Sequence, residues 1–180
     1  MSRIVLVHGI RSNGVSNIYR LEPWLRGAGH EVVRASLPIR RAIQVRWCYQ
    51  RDAATLADQL EVGDVLIGHS YGGALSYLAA QRSPVSAVFL FNAALDRDVD
   101  LSAMLGRPPV WCVYSQADRI VWFSGLLPAH IFGRAGQSGL HDLPPERNVE
   151  IGGGHSDAFV GQGAERWADF ICGELEKFRG

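Results

Sequence analysis

The chain has 180 residues and a mass of 19.8 kDa, with 47% apolar residues, 20% charged residues and a formal net charge of +0. This length and composition predict one folded domain over residues 1–180 and exclude a disordered chain of high net charge. The balanced charge also argues against a dedicated nucleic-acid binder, whose affinity depends on many cationic contacts with phosphates.

Six short apolar runs alternate with segments of helical period. The predicted strands are residues 3–7, 31–36, 64–68, 86–92, 110–115 and 148–151. The predicted helices, each with an apolar stripe that would face the sheet, are residues 18–26, 53–60, 74–81 and 158–178. The stretches 37–47 and 122–145 lack a clear period and are interpreted as loops. This alternation predicts an α/β fold, a three-layer sandwich of a mainly parallel sheet with helices on both faces.

No segment resembles a membrane span or a targeting sequence. The longest uncharged apolar runs, such as residues 4–7 and 87–91, are far shorter than the ~20 residues that cross a bilayer. The N-terminus has no extended apolar region or small-residue cleavage site, so we expect a cytoplasmic protein. Cys48, Cys112 and Cys172 include no Cys-x-x-Cys pair, which predicts reduced thiols and no zinc site. The last two lie in apolar patterns, where a thiol behaves as a small buried hydrophobe.

The third predicted strand runs directly into the sequence GHSYG at residues 68–72, a G-x-S-x-G pattern followed by Gly73. A sharp turn between a strand and a helix would hold the central serine in a strained conformation with its hydroxyl exposed, and the glycines would avoid collisions around it. The N-terminus of the following helix would direct its amides and its dipole at an oxyanion formed there. Ser70 is therefore the predicted nucleophile.

A serine hydroxyl is a weak nucleophile at neutral pH and needs a base, which a third group must orient. Asp118 follows the predicted strand 110–115, and His155 follows three glycines beyond the strand 148–151. Both positions lie past the carboxyl ends of strands, where the active sites of parallel sheets gather. We therefore predict a triad of Ser70, Asp118 and His155, in that order along the chain.

The segment after the first predicted strand is the candidate for the rest of an oxyanion hole. His8, Gly9 and Ile10 end that strand at what should be the same edge of the sheet. A backbone amide there could face the amide of Tyr71, and two such donors would stabilise a tetrahedral oxyanion. We predict Ile10 as the second donor, with Arg11 as the alternative, and expect the histidine to order the loop.

Four motifs together resemble those of α/β-hydrolase fold serine hydrolases over about residues 3–175. They are VHG at residues 7–9, GHSYGG at 68–73, DRIV at 118–121 and GH at 154–155. The resemblance implies that these are the oxyanion loop, the nucleophile elbow, the acid and the base. It also implies a minimal, lidless, esterase-like member, because few residues lie where many members insert a helical lid. A small-molecule ester would be cleaved through an acyl-enzyme, with no metal or organic cofactor.

Several assignments keep alternatives. The strongest rival of Asp118 as the acid is Asp96, and the weaker rivals are Asp98, Asp142 and Asp157. Histidines interpreted as structural or solvated are His69, His130 and His141. The same triad would also serve a thioesterase, an amidase or a lyase, and a catalytically silent member of the fold could instead bind a partner through the open top of its sheet.

The two stretches without a clear period contain aromatic residues that could line a pocket or cap the edge of the sheet. These residues are Trp47, Trp122, Phe123 and Phe132, together with Tyr49 just after the first stretch. We assign Trp122 and Phe123, together with Arg11, to the predicted substrate-binding site. A solvated run of charge is the preferred interpretation of three arginines in the first stretch, Arg40, Arg41 and Arg46.

Overall fold

A computed structural model of the chain describes residues 1–10, 17–124 and 131–178, apart from the side chains of residues 122–124. The strands are β1 Arg3–Val7, β2 Glu31–Arg34, β3 Val65–His69, β4 Ala87–Phe91, β5 Val110–Tyr114 and β6 Asn148–Glu150. The α-helices are α1 Glu22–Gly27, α2 Ala42–Ala57, α3 Tyr71–Ala80, α4 Arg119–Ser124, α5 Ala135–Ser138 and α6 Gly163–Lys177. Each strand begins and ends within two residues of its predicted bounds.

The six strands form one parallel sheet in the order β2-β1-β3-β4-β5-β6. The chain adds β2 on one side of β1 and then continues with β3 on the other side, so the strand order reverses between β1 and β3. In open parallel sheets, ligands bind beyond the carboxyl ends of the strands at such a reversal. Val7 and Gly68 are register partners at that edge, which brings the segments after β1 and β3 together.

Helices cover both faces of this sheet, which confirms the predicted α/β class. On one face α2 and α3 contribute to a buried apolar cluster, and on the other face α1 and α6 contribute to a second one. Every residue of β3 and β4 is buried. Burial from both sides explains why these strands are continuous apolar runs without polar alternation.

The largest difference from the prediction is α2, which begins at Ala42 and not near residue 53. The stretch 37–47 is therefore partly helical, and its interpretation as a loop is wrong. Ile43 and Trp47 are exposed on this part of the helix. The apolar residues of the sequence therefore do not all lie on the buried face, and their spacing does not reveal the helix. Amphipathic periodicity identifies a helix only when its exposed face is polar.

The helix α3 also begins earlier than predicted, at Tyr71 and not at residue 74. All ten of its residues are buried, so it has no polar face to reveal a period. Gly72 and Gly73 in its first turn have low helix propensity, and tertiary packing overrides that propensity here. The helix therefore starts immediately after Ser70.

Three smaller differences concern helix ends. The predicted helix 18–26 consists of a 3-10 turn, Asn17–Leu21, followed by α1. The predicted helix 158–178 consists of a 3-10 turn, Asp157–Phe159, followed after a short interval by α6. The stretch 122–145 contains the end of α4 and all of α5, so it is not wholly irregular.

All three cysteines are free thiols. Cys112 is buried as predicted, whereas Cys172 is only half-buried, because it lies on the flank of α6. Across the described ranges, no helix has the length and apolar character needed to cross a membrane.

Candidate active site

Ser70 lies between β3 and α3 in a backbone conformation that L-residues seldom adopt, with φ 57° and ψ −123°. Strain of this kind persists only where the surroundings impose it, and it concentrates at functional sites. The neighbouring glycines permit the turn. A Cβ atom on Gly68 would come within 2.6 Å of the carbonyl oxygen of Gly72, and one on Gly72 would overlap the carbonyl oxygen of Val7.

The turn is fastened to the end of β4 by backbone hydrogen bonds. The amide of Ser70 donates to the carbonyl oxygen of Phe91 at 3.0 Å. The carbonyl oxygen of Ser70 accepts hydrogen bonds of 3.0 Å from the amides of Gly73 and Ala94. The position of the serine therefore depends on β4 as well as on its own strand and helix.

The segment after β1 approaches the serine closely. A Cβ atom on Gly9 would lie 3.0 Å from Cβ of Ser70, so a larger residue would press on the nucleophile elbow. Nδ1 of His8 donates to the carbonyl oxygen of Gly9 at 2.7 Å. Ile10 follows in the same loop and packs against the apolar cluster of α2 and α3. Tyr71, the other predicted amide donor, is the first residue of α3.

Asp118 follows β5 and is fully buried. Its Oδ2 atom accepts a hydrogen bond of 2.7 Å from Nδ1 of His155. The same oxygen accepts one of 2.9 Å from Nδ2 of Asn92, and Oδ1 accepts bonds of 3.0 Å from the amides of Ile120 and Val121. Burial opposes ionisation of this carboxyl, but the hydrogen bonds from His155, Val121 and Asn92 outweigh it and hold its pKa below the ordinary value.

This hydrogen bond identifies the imidazole tautomer of His155. An ionised carboxylate only accepts hydrogen bonds, so Nδ1 carries the proton and Nε2 is left as the basic nitrogen. The hydroxyl of Ser115 donates to the carbonyl oxygen of Gly153, which ties the loop of the histidine to the end of β5. Among the described residues, Ser70 and His155 make no direct hydrogen bond with each other.

The imidazole of His69 contacts His155. Its Nε2 donates to the backbone carbonyl oxygen of His155 at 2.9 Å, and the two ring centroids are 4.7 Å apart. Burial, with a smaller contribution from the neighbouring imidazole, lowers the pKa of His69 to about 3, so this ring is neutral at physiological pH. The interpretation of His69 as structural agrees with this packing, but the sequence did not indicate its contact with the predicted base.

The rival carboxylates have other partners. Oδ2 of Asp157 accepts from the amide of Gly154 at 2.7 Å, and Asp98 pairs with His141. Asp96 accepts from the amide of residue 98, and Asp142 is exposed at the surface. Within the part of the chain that the structure describes, Asp118 is the carboxylate that hydrogen-bonds His155.

The predicted substrate-binding residues are placed only in part. Trp122 and Phe123 lie in α4, which begins directly after Asp118, but their side chains are outside the described ones. Arg11 and His130 lie outside the described residues as well.

The other aromatic residues of the two stretches have different surroundings. Phe132 is buried between Tyr49 and Tyr71, with ring-centroid distances of 5.5 and 6.1 Å, so Tyr49 and Phe132 pack over the sheet. Trp47 is 74% exposed, and its ring lies 4.3 Å from the guanidinium of Arg46.

Arg40 is not a solvated charge, so that prediction is wrong. Its guanidinium binds the buried carboxylate of Asp52 through two hydrogen bonds of 2.7 and 2.9 Å. The hydroxyl of Tyr71 donates to the same carboxylate at 3.0 Å. Burial and the adjacent negative charge of Asp52 raise the pKa of Tyr71 above its ordinary value. The ion pair thus anchors the residue that follows Ser70, and no local sequence motif signals this.

The described residues include no group of three or more His, Cys, Asp or Glu side chains arranged to hold a metal ion. An imidazole oriented by a buried carboxylate, as His155 is here, can act as a general base.

A protein-family model with the description "Alpha/beta hydrolase family" matches residues 4–175. A search of curated proteins found no match. Among solved structures, alpha/beta hydrolase domain-containing protein 10 from mouse aligns with 98% of this chain and 90% of its own, at 15% identity and a TM-score of 0.67. A methylesterase from Arabidopsis, MES16, aligns with 98% of this chain and 99% of its own, at 16% identity and a TM-score of 0.63.

A third similar structure is an extracellular alpha/beta-hydrolase from a Paenibacillus species. It aligns with 95% of this chain and 98% of its own, at 14% identity and a TM-score of 0.63. At identities this low, the three likenesses show the fold alone.

Proposed function

The chain belongs to the alpha/beta hydrolase family, and from that premise we propose that it is a serine hydrolase that cleaves carboxylic esters. The observation that carries the proposal is the hydrogen bond of 2.7 Å between His155 and the buried carboxylate of Asp118, beside the strained turn at Ser70. A nucleophile, an oriented base and a buried acid at one edge of a sheet are the parts that acyl transfer needs.

In the proposed first half-reaction, the hydroxyl oxygen of Ser70 bonds to the ester carbonyl carbon while its proton passes to Nε2 of His155. Asp118 keeps the proton on Nδ1 and stabilises the imidazolium that forms. The tetrahedral oxyanion accepts hydrogen bonds from the amides of Tyr71 and Ile10. The bond to the alcohol oxygen then breaks, and the imidazolium gives its proton to the departing alcohol.

Hydrolysis of the acyl-enzyme repeats these steps with water. His155 removes a proton from a water molecule, whose oxygen bonds to the acyl carbon. Collapse of the second tetrahedral intermediate breaks the bond to Ser70, and the serine oxygen regains a proton from the imidazolium. The carboxylic acid leaves and the enzyme is restored.

The serine and the imidazole need to meet during this reaction. Hydrogen bonds between a nucleophile and its base are often long or poorly aligned before substrate binds. We propose that Ser70 and His155 form theirs in the substrate complex. An ester is the preferred substrate because an alkoxide leaves with less help from the general acid than an amine does.

Purified protein should hydrolyse nitrophenyl esters in a panel of graded acyl length, and a fluorophosphonate probe should label Ser70. Ser70→Ala should lower kcat by about 10³-fold or more, because the nucleophile is removed. Ser102→Ala, an exposed serine on the loop after β4, is the matched control and should retain full activity. Absence of both turnover and labelling in the folded wild-type protein would favour a catalytically silent binding protein instead.

A further inference from the structure

Asn92 is a buried residue with an unusual backbone, directly after β4. It is fully buried and has a φ of 44°, in the left-handed region that few non-glycine residues adopt. Ser70 and Arg107 are the other non-glycine residues with positive φ in the described part of the chain. Arg107 lies at an exposed surface turn, whereas the other two are buried at the candidate active site. A left-handed residue inside the protein is held there by its surroundings.

The side chain of Asn92 contacts the predicted acid. Its Nδ2 donates to Oδ2 of Asp118 at 2.9 Å and, at 3.4 Å, to the carbonyl oxygen of Gly136. Both partners are acceptors, so the amide nitrogen faces them and the amide oxygen faces away. That oxygen is buried and has no hydrogen-bond partner among the described residues. A buried oxygen without a partner is costly, and the hydrogen bonds of the amide nitrogen offset this cost.

The oxygen that accepts from Asn92 is the same one that accepts from His155. Oδ1 of Asp118 is held by two backbone amides in the first turn of α4, whereas Oδ2 accepts its hydrogen bonds from the two side chains. Asn92 supplies the second fixed donor to that oxygen. A neutral amide can do this without adding a charge that would compete with the imidazolium.

The backbone around Asn92 ties this carboxylate to the nucleophile. Phe91 and Ala94, on either side of it, are hydrogen-bonded to the backbone of Ser70. The amide of Asn92 donates to the carbonyl oxygen of Val113 on β5 at 2.8 Å. Gly136 packs so closely that a Cβ there would overlap the carbonyl carbon of Asn92. One short segment therefore sets the positions of both the serine and the acid.

We propose that Asn92 is a positioning residue, which holds the carboxylate of Asp118 in the orientation that binds Nδ1 of His155. The inference has two parts. The geometric part, that Asn92 orients the carboxylate toward His155, stands by itself. The catalytic part, that this orientation speeds the reaction, rests on the proposed ester hydrolysis. Asn92 acts through the acid and does not touch substrate, so its loss should lower kcat and leave KM nearly unchanged. A lost hydrogen bond to a charged group corresponds to a decrease of about 10-fold to 100-fold.

Asn92→Gly is the principal variant because glycine accepts the positive φ and removes only the side chain. Arg107→Gly is its matched control, since it makes the same backbone exchange at an exposed turn away from the site. We expect kcat on a nitrophenyl ester to fall about 10-fold to 100-fold in Asn92→Gly and to be unchanged in Arg107→Gly. Equal kcat values in the two folded variants would overturn the catalytic part of the proposal.

The geometric part is tested without substrate, by proton NMR of the Nδ1–H of His155. This proton should give a resonance displaced far downfield by its bond to the carboxylate, which disappears in Asp118→Asn and so is assigned. In Asn92→Gly the resonance should shift upfield or broaden through exchange, while Arg107→Gly leaves it in place. An unchanged resonance in Asn92→Gly would overturn the proposal. A changed resonance in a protein that hydrolyses no ester would support the positioning role and contradict the proposed function.

Asn92→Asp provides a second variant of nearly the same shape, useful if the glycine variant does not fold. A protonated Asp at this position can donate to Asp118 as the amide does, whereas an ionised one cannot donate and repels it. Two carboxyl groups this close share a proton up to an unusually high pH. The kcat of this variant should therefore decline as pH rises through the range where wild type is constant. A pH profile that overlays that of wild type would overturn the proposal.

Discussion

The two faces of the sheet are packed with different kinds of side chain. Under α1 and α6 the contacts are aromatic: Phe89 stacks on Trp111 with centroids 4.5 Å apart, and Phe91 meets Trp167 edge to face. Under α2 and α3 the buried residues are mostly alanine, leucine and valine, with the ion pair of Arg40 and Asp52 among them. On the second face, the close approach of α3 to the sheet accounts for small residues at the start of that helix.

The helix α3 has to begin immediately after Ser70 and pass over the ends of β1 and β4. Its first turn touches these strands, and a Cβ on Gly73 would lie 2.6 Å from Cβ of Ala93. Small residues are the only ones that fit this distance. On the opposite face, Trp167 of α6 meets Phe91 of β4 edge to face, so a large ring lies between this helix and the sheet. The sharp turn at the serine therefore requires small residues where α3 begins.

The neighbours of Ser70 are anchored to opposite faces. His69 packs against Phe159 on the aromatic face, with ring centroids 5.3 Å apart. Tyr71 hydrogen-bonds Asp52 on the aliphatic face. A neutral imidazole therefore supports the serine from one side, and a buried ion pair supports it from the other.

Removing a ring from the aromatic face should have the largest effect on stability. Phe89→Ala deletes the partner of the stacked Trp111 and leaves a cavity, so we expect the free energy of unfolding to fall by about 3–5 kcal/mol. Urea unfolding followed by fluorescence measures this loss. Phe178→Ala, which removes a half-exposed ring at the border of the same cluster, should cost clearly less. If the two variants lost the same free energy of unfolding, the aromatic face would not be specifically packed around Phe89.

Adding volume to the aliphatic face should have the next largest effect. Ala74→Leu forces three additional carbons into the packed cluster around α3, and we expect a loss of about 1–3 kcal/mol in the free energy of unfolding. The exposed Ala42, at the start of α2, provides the control Ala42→Leu, with an expected change within about 0.5 kcal/mol. If Ala74→Leu were neutral, the close approach of α3 would not be the reason for the small residues.

The neutral imidazole on the aromatic face predicts a loss of stability in acid. The pKa of His69 is lowered to about 3 in the folded protein, whereas in the unfolded chain it is about 6.5. The unfolded chain therefore binds a proton that the folded protein excludes as pH falls from about 6.5 toward 3. The contribution of neutral His69 to the free energy of unfolding is therefore fully present above about pH 6.5. It decreases by about 1.4 kcal/mol for each pH unit below 6.5, until the pKa of the folded protein is reached.

Urea unfolding at a series of pH values tests this expectation. His69→Gln retains an N–H donor for the carbonyl oxygen of His155 but has no ionisable group. The slope of stability against pH between 6 and 4 should be smaller in this variant than in wild type. Identical slopes would mean that His69 is protonated in the folded protein or does not titrate in the unfolded chain.

Much of the fold follows from local patterns. The four central strands β1, β3, β4 and β5 are mostly apolar runs that are buried almost throughout, and such runs are easily recognised in a sequence. The α3 and α2 helices were predicted too short for opposite reasons. The first has no polar face, and the second exposes Trp47 and Ile43, so neither has the polar and apolar alternation that marks a surface helix.

The chemistry-bearing residues divide in a similar way. Ser70 could be proposed as the nucleophile because a nucleophile elbow needs glycines at fixed positions, and Asp118 and His155 as its partners because they follow strands that end at one edge. Asn92 and Arg40 carry no such local requirement. An asparagine after a strand or an arginine in a polar stretch is common in proteins and often has no special role. Only the hydrogen-bond partners seen in the structure show what these two residues do.

The sequence alone therefore determined the alternation of strands and helices, the sharp turn after β3 and the chain order of three candidate reactive groups, because each depends on neighbouring residues. Tertiary structure alone decided that Asp118 binds His155 while Asp96 does not, that Asn92 holds this carboxylate and that Asp52 anchors Tyr71. Those contacts join residues 19 to 37 positions apart. Their energies arise from burial and from mutual orientation, which exist only after the strands have assembled.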